Sequence, residues 1–522
     1  MSTYVQAGGS GRKPTLLLIR YPLTGGLLHQ LWEKPYITAF SRRFNVVLVE
    51  EDCDLAALCD RHSPDLIAYR GAYSAPHHRI EVSNPHVNRH IPRISLCMCD
   101  SFCTSRIPHF RDMDAWGCEI VMAHTSITEQ TPEVAHRTFG MPHVFDDVMC
   151  IDPGVERDIP IWLVGAMSAD RPWRVRAATG LSARFPDLVQ TSPHPGYGRE
   201  VTQGLVGENF FRTMGRARIS LTDGTLFDYV VRKHLEIPAC GTLLLTPPIQ
   251  NLADYGFQDM VNCVMGEGDD LTDKVDLLLR DEARLRTITG AGHDLVHRRH
   301  AASKSDFLYD WFLAQSRLLP GQTLVQHGLF GPYEAVWDGR QGLISSYQWK
   351  PDLLTLTTRA AGEDYARGDY AACINRAQKA LEMRVEHAPA RFMLNRALLR
   401  TGRAAEVLLP QHGLFQFNFC RTYYQTPEAD PVELAWWVLA HICGRQIDEA
   451  EGLLNLYAHV RHAELRRVRW LIDSLRGRAA AVPAERRADD RPSVMHMTAA
   501  SFSEWMADIM PMIAIHWQGT PA

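Results

Sequence analysis

The sequence is poor in the features that would place it in a membrane, a secreted scaffold or a metal-centred fold. No apolar run approaches the roughly 18 residues that a membrane-spanning helix needs, and the run at residues 15–19 is too short for the core of a signal peptide. The twelve cysteines have no disulfide-type spacing. In Cys97-Met-Cys-Asp-Ser-Phe-Cys103 the C-x-x-C spacing of structural zinc is missing. Neither that segment nor the loop holding His77, His78, His86 and His90 is read as a metal site, and no Asp-x-Asp pair is read as a metal signature. A large excess of one charge is also absent: a net charge of −5 with 22% charged residues excludes an overall bias toward nucleic acid or an anionic membrane. Reduced thiols in a cytoplasmic enzyme are the expectation.

What is present is length and alternation. At 522 residues the chain is long enough for three ordinary domains. Short apolar runs at 15–19, 45–49, 65–69, 93–97 and 119–123 alternate with helical patterns, which predicts a doubly wound parallel sheet. After the turn-rich Asp152-Pro-Gly154 a second series follows at 159–164, 217–221, 242–246 and 262–265. Two Rossmann-like halves, 1–152 and 153–318, are therefore expected to face each other about a hinge near 150–158. Strand signals fade past residue 320. A connector is read at 319–352, a helical region at 353–477, an exposed linker at 478–499 and a terminal helix at 500–522.

In the helical region Gly368 recurs as Gly402, the period of a tetratricopeptide repeat, and Gly-Asp-Tyr370 with Ala380-Leu381 resembles that repeat. Ile442-Cys-Gly-Arg445 is read as the start of a third unit. Phe502, Trp505, Met506, Ile509, Met510 and Ile513 fall at helical spacing around Pro511, which predicts a terminal helix docking on the body. Gln-His-Gly-Leu-Phe occurs at 326–330 and again at 411–415.

The chemistry concentrates in Arg232-Lys-His-Leu-Glu-Ile-Pro-Ala-Cys-Gly-Thr-Leu-Leu-Leu245, a helix that runs into Gly241 and a buried strand. A glutamate there accepts two hydrogen bonds from a vicinal diol such as a ribose, and nearby basic groups suit a diphosphate. Arg232, Glu236, Ala239 and Gly241 match the Arg-x-x-x-Glu-x-x-Ala-x-Gly motif of GT-B glycosyltransferases, and residues 159–312 resemble the CgeB-type (spore maturation protein-like) branch. The resemblance implies an α/β fold of two Rossmann-like domains (GT-B), here followed by an all-α tetratricopeptide-like region.

It also implies the distribution of roles. The nucleotide-sugar is a substrate, held mainly on the second domain, and no cofactor or metal is expected because basic side chains and helix dipoles stabilise the leaving diphosphate. On that side Gly165, closing a strand, lets backbone N–H groups approach an anion, and Arg171 is read as a phosphate contact while Arg174 and Arg176 are not. Asp228 stands eight residues before Glu236, the spacing of the paired glutamates of retaining family 4 enzymes, with Arg232 or Lys233 facing phosphate. On the acceptor side Tyr21-Pro-Leu-Thr-Gly-Gly-Leu-Leu-His29 places Gly25 and Gly26 like the Gly-Gly loop of these enzymes. His29 is the first candidate general base and Asp100 its rival, while packing of His29 against Trp32 is the alternative.

The reading is a glycosyltransferase acting on an acceptor saccharide, metabolite or protein, with a possible protein partner on the helical repeats and no nucleic acid. A GT-B-type sugar-nucleotide epimerase and a non-catalytic scaffold are the rivals. Inversion or retention is not legible.

Overall fold

The computed structural model describes residues 12–20, 27–70, 80–98, 106–124, 134, 136–168, 171–194, 205–337, 345, 352–385, 387–409, 429–478, 481–485, 487, 490–491, 493 and 500–517. For 27–30, 106–108, 110–111 and 227 it describes the backbone alone.

The first lobe is a six-stranded sheet built from β1 (Thr15–Arg20), β2 (Asn45–Val49), β3 (Leu66–Arg70), β4 (Arg93–Cys97), β5 (Ile120–Ala123) and β6 (Thr138–Gly140). Its order is β2-β1-β3-β4-β5-β6, parallel throughout. The second is β7 (Ile159–Val164), β8 (Val189–Ser192), β9 (Ala217–Leu221), β10 (Leu243–Thr246) and β11 (Val264–Met265), ordered β8-β7-β9-β10-β11 and again parallel. Parallel strands covered on both faces read as continuous apolar runs, and the pleat sends alternate side chains to opposite cores. Leu16 and Leu18 of β1 enter one cluster while Leu17 and Ile19 enter another; Ile161 and Leu163 of β7 part from Trp162 and Val164 in the same way.

The helices crossing the first lobe are α1 (Leu27–Arg43), α2 (Leu55–His62) and α3 (Arg106–Ala115); those of the second are α4 (Pro172–Arg184), α5 (Gly207–Arg216), α6 (Lys233–Ala239), α7 (Gly268–Arg280) and α8 (Glu282–Arg299). Helix α9 (Phe307–Ser316) follows the second lobe in sequence but packs on the first. Its Leu308, Trp311 and Phe312 are buried with Leu16, Phe40 and Phe44, and Arg43 pairs with Asp306 at its start. That apolar stripe overrides the division at 318.

The segment read as a connector holds a hairpin, β12 (Gln322–Gln326) with β13 (Tyr333–Trp337). Gln326 gives its duplicated motif a local reason. The side chain is fully buried, accepting from Gly140 N at 2.7 Å and donating to Gly140 O at 3.0 Å, so it pairs with β6 as a strand backbone would. The second copy, at 411–415, lies outside the described residues.

Beyond it come α10 (Leu353–Ala366), α11 (Tyr370–Met383), α12 (Ala388–Arg400), α13 (Ala404–Val407), α14 (Pro431–Cys443), α15 (Ile447–Leu456), α16 (Ala463–Leu475) and α17 (Phe502–Trp517). Gly368 and Gly402 end α10 and α12 at φ +79° and +76°, the left-handed position after a helix where glycine carries no Cβ penalty. Ile442-Cys-Gly-Arg445 is the corresponding turn between α14 and α15, with Arg445 at φ +63°.

The terminal helix lands on this stack, against α12 and α14. A capping box starts it: Ser501 Oγ accepts from Glu504 N and the Glu504 carboxylate accepts from Ser501 N. Trp505, Ile509, Met512 and Ile513 are buried, whereas Met510 is exposed, so the buried stripe is narrower than the spacing suggests. The preceding linker is tied in places: Arg466 holds Asp490, and Ser493 donates to Asp430.

Asp508 of α17 accepts from Tyr365 Oη at 2.6 Å and from Arg396 at 2.8 Å. Asp508→Ala leaves both donors without that carboxylate. Thermal denaturation of the variant is expected to show a loss of about 2 to 3 kcal/mol, and an unchanged melting temperature would mean that the Asp508 carboxylate does not hold α17 in place.

Candidate functional site

The carboxyl ends of the two sheets face each other across a cavity of about 280 Å³. This is where open parallel sheets bind ligands, because loops there diverge and leave a crevice. From the first lobe the walls include Arg70 at the end of β3, Met98 beyond β4 and His124 directly after β5; from the second, Val164 at the end of β7 with Gly165 and Ala166 beyond it, and Thr222 after β9. Aromatic and aliphatic groups, among them Trp32, Phe210 and Tyr229, fill the rest of the lining.

The charge in this lining is uneven. Arg70, Arg171, Arg174, Arg232 and Lys233 face it, against Glu236. Asp223, buried beside them, takes Arg174 at 2.7 Å and Arg171 at 3.2 Å on one carboxylate oxygen. Arg174, dismissed from sequence, is among the most deeply placed of these cations: its side chain is 3% exposed and also reaches Thr222 and the Ala166 carbonyl. A helical arginine two residues inside α4 looks like a solvated one until the strand it points back to is known.

Gly165 lies at φ +118°, and a β-carbon there would fall 2.8 Å from both Arg174 Nη1 and Lys233 Nζ. Two cations thus converge on a backbone kept bare by glycine. Lys233 also donates to the Val164 carbonyl at 3.2 Å. Burial, and then the charges of Arg174 and Arg171, bring its pKa down to about 7.

Glu236 lines the cavity from α6, with Oε1 accepting from Arg232 Nε at 3.0 Å and Nη2 at 2.6 Å. The third guanidinium nitrogen of Arg232, Nη1, donates at 3.3 Å to the Leu31 carbonyl of the other lobe. Ala239 is fully buried and Gly241 sits at φ +70° where the chain turns into β10, so each residue of the motif has a structural task. Asp228 is exposed, in a left-handed turn, and outside the cavity lining.

On the acceptor side His29 falls in the first turn of α1, with its side chain outside the described residues. Gly25, Gly26 and Asp100 lie outside them altogether. The described part instead offers His124 and His143, which sequence reasoning missed. Their rings stack 4.1 Å apart at 13°. Tyr36 Oη is 3.0 Å from His124 Nε2 and 3.4 Å from His143 Nδ1, and His124 Nδ1 meets the Met141 carbonyl at 3.0 Å. Burial takes His124 down to about 4 and His143 well below the ordinary imidazole value. Both are neutral near pH 7. A histidine directly after the strand read at 119–123 was the available signal.

The Asp-x-Asp spacing does occur, at Asp52/Asp54 and Asp112/Asp114, and neither pair lines the cavity. Asp54 caps α2 and Asp112 accepts from Tyr69 Oη. Among the described residues no three histidine, cysteine, aspartate or glutamate side chains group as metal ligands, and no helix is long and apolar enough to cross a membrane.

Residues 162–305 match the glycosyl transferase-like family model. Gly165, Arg171, Arg174, Asp223, Arg232, Lys233 and Glu236 all fall inside the matched span. No similar sequence is found among curated proteins. Among solved structures, a glycosyltransferase from Rickettsia africae is similar at 11% identity and a TM-score of 0.35, covering 58% of this chain and 99% of that one. Sucrose-phosphate synthase from Thermosynechococcus elongatus is similar at 12% and 0.36, covering 58% and 100%. Anabaena HepE in complex with UDP and glucose is similar at 12% and 0.34, covering 58% and 98%.

Lys233 gives the site a pH dependence with a fixed sign. An anion beside the ammonium favours its charged form, so the bound state keeps a proton that the empty site loses above about pH 7. Affinity of the cavity for an anion beside Lys233 is therefore expected to fall above that pH, by up to about tenfold per unit. Calorimetry in buffers of different ionisation enthalpy checks this through proton uptake on binding, and Lys233→Arg should flatten the dependence.

Proposed function

We propose that the protein is a GT-B glycosyltransferase that moves a sugar from a nucleotide-sugar to a hydroxyl of a saccharide, metabolite or protein. The observation that carries this reading is Gly165, where Arg174 Nη1 and Lys233 Nζ converge on a bare strand end within the family-matched span. A diphosphate seated there meets Arg171, Arg174 and Lys233. As the bond from the anomeric carbon to the diphosphate oxygen breaks, negative charge grows on that oxygen, and these fixed cations oppose it. No metal is required of this arrangement.

Glu236 receives the ribose diol, held in place by Arg232. The acceptor oxygen forms the new bond to the anomeric carbon and its proton passes to His29 or Asp100. The two neutral imidazoles, His124 and His143, line the wall where the sugar would lie and offer hydrogen bonds rather than charge. The helical hairpins are read as tetratricopeptide-like, the second lobe as CgeB-type, and the protein as cytoplasmic.

Screening ADP, GDP and UDP by thermal shift tests the reading. One of them should raise the melting temperature according to RT ln(1 + [L]/Kd), while a scaffold would respond to none; product analysis with the matching nucleotide-sugar then separates transfer from epimerisation. Glu236→Gln should weaken binding of that diphosphate by about 1 to 2 kcal/mol, the difference between a charged and a neutral acceptor. Glu236→Ala is less informative because it strands the buried Arg232 guanidinium, a change that by itself destabilises by about 3 to 5 kcal/mol. Full affinity in a folded Glu236→Gln protein would remove the diol assignment.

For the base, turnover in His29→Ala should drop about 10² to 10⁴-fold with donor affinity kept, and Asp100→Asn should matter less. Steady-state rates of both across pH decide, and the reverse order assigns the role to Asp100.

A further inference from the structure

The loop between β9 and α6 has two faces, one in the cavity and one under the helical region. Thr225, Tyr229 and Val231 line the cavity. Leu226 and Tyr229 are buried with Leu354 of α10, Ala380 of α11 and Ala390 of α12, a small cluster separate from the main cores. Leu354 is fully buried in the first turn of α10, a turn fixed by Asp352, which accepts from Thr355 N at 2.7 Å.

The loop is not held by its own preferences. Thr225 and Asp228 adopt φ +62° and +54°, a conformation that costs free energy in a β-branched residue above all. Gly224 lets the chain double back so closely that a β-carbon there would fall 2.5 Å from Tyr229 N. A turn of this kind persists only when its surroundings over-determine it. Within the turn Tyr229 N donates to Gly224 O, Val230 N donates to Asn251 Oδ1 and α4 packs against Thr225–Phe227; on the other face lies the apolar seat of Leu354, Ala380 and Ala390.

We propose that Leu354 is a positioning residue for the nucleotide-sugar pocket, setting its affinity for a nucleoside diphosphate through the Leu226 to Tyr229 turn without touching the ligand. This rests on the glycosyltransferase reading above. It also makes the helical region part of the donor pocket's construction, so that removing residues 353–522 costs donor binding and does not isolate an acceptor function.

The test uses the full chain. Leu354→Ala, Leu354→Met and Val468→Ala are compared, the last removing a fully buried side chain of α16 away from the turn. The probe is whichever of ADP, GDP and UDP binds the wild type, measured by calorimetry beside the ligand-free melting temperature. Leu354→Ala should weaken binding by about three- to tenfold, Leu354→Met should restore it, and Val468→Ala should melt earlier yet bind normally. Leu354→Val replaces Leu354→Ala if the latter does not fold. Normal binding by the truncated variants, or an equal loss in Val468→Ala, overturns the proposal while leaving the glycosyltransferase reading standing. Absence of binding to the wild type overturns both.

Discussion

The contact on which the cavity depends is a hydrogen bond that a proline makes available. Pro35 lies inside α1 and has no N–H, so the carbonyl of Leu31, four residues earlier, has no helical donor. Arg232 Nη1 of the opposite lobe takes that position at 3.3 Å. The same guanidinium spends its other two nitrogens on Glu236, fixing the carboxylate at the cavity wall. Burial lowers His124 and His143 and the charge of Arg232 adds to that effect, while at Tyr36 burial raises the hydroxyl pKa and Arg232 opposes the rise. One side chain therefore joins the lobes, orients the motif glutamate and helps keep the facing imidazoles neutral.

That arrangement separates two kinds of electrostatics in a single cavity. On the second lobe the cations outnumber carboxylates, and the most buried amine, Lys233, is poised near pH 7, so an arriving anion gains both the fixed guanidinium charges and a proton on the amine. On the first lobe the histidines stay uncharged and bond to Tyr36 and a backbone carbonyl. A diphosphate and a sugar hydroxyl ask for this division: the first for charge, the second for neutral donors and acceptors.

Most of the fold was legible because buried parallel strands announce themselves as apolar runs. β1, β2, β4, β7 and β9 fall on or within a residue of where periodicity put them. The misses share a cause. β8, Val-Gln-Thr-Ser, is a half-exposed edge with no apolar run, and β6 is three residues long. The hairpin after residue 320 is buried through Leu324 and Gln326, the second a polar residue whose partner is 186 positions away. Within the site, Gly165, Lys233 and Glu236 were found because glycine and charge at a strand end or helix start carry local meaning. Arg174 was discarded and His124, His143 and Pro35 went unused, since their roles exist only once two lobes are brought face to face. Asp228 fitted a spacing but stands outside the cavity lining.

The two junctions of the helical region and the lobes differ in kind, and the difference bears on motion. Across the cavity the lobes meet through the 3.3 Å hydrogen bond of Arg232, through Tyr255 Oη, which accepts from His143 N at 2.9 Å, and through walls in which Trp32 and Phe210 stand beside the charged groups. The helical region meets the donor lobe through Leu226, Tyr229, Leu354, Ala380 and Ala390, and exposing that surface has no compensating hydration. The helical region is also continuous with the apolar core of the first lobe, where Leu17, Ile19 and Val121 share a cluster with Trp437 and Leu439, so it is fixed to both lobes. The strained β9–α6 turn therefore rests on a seat anchored in the first lobe, and parting the two lobes would have to disturb one of these apolar contacts as well as the hydrogen bond of Arg232.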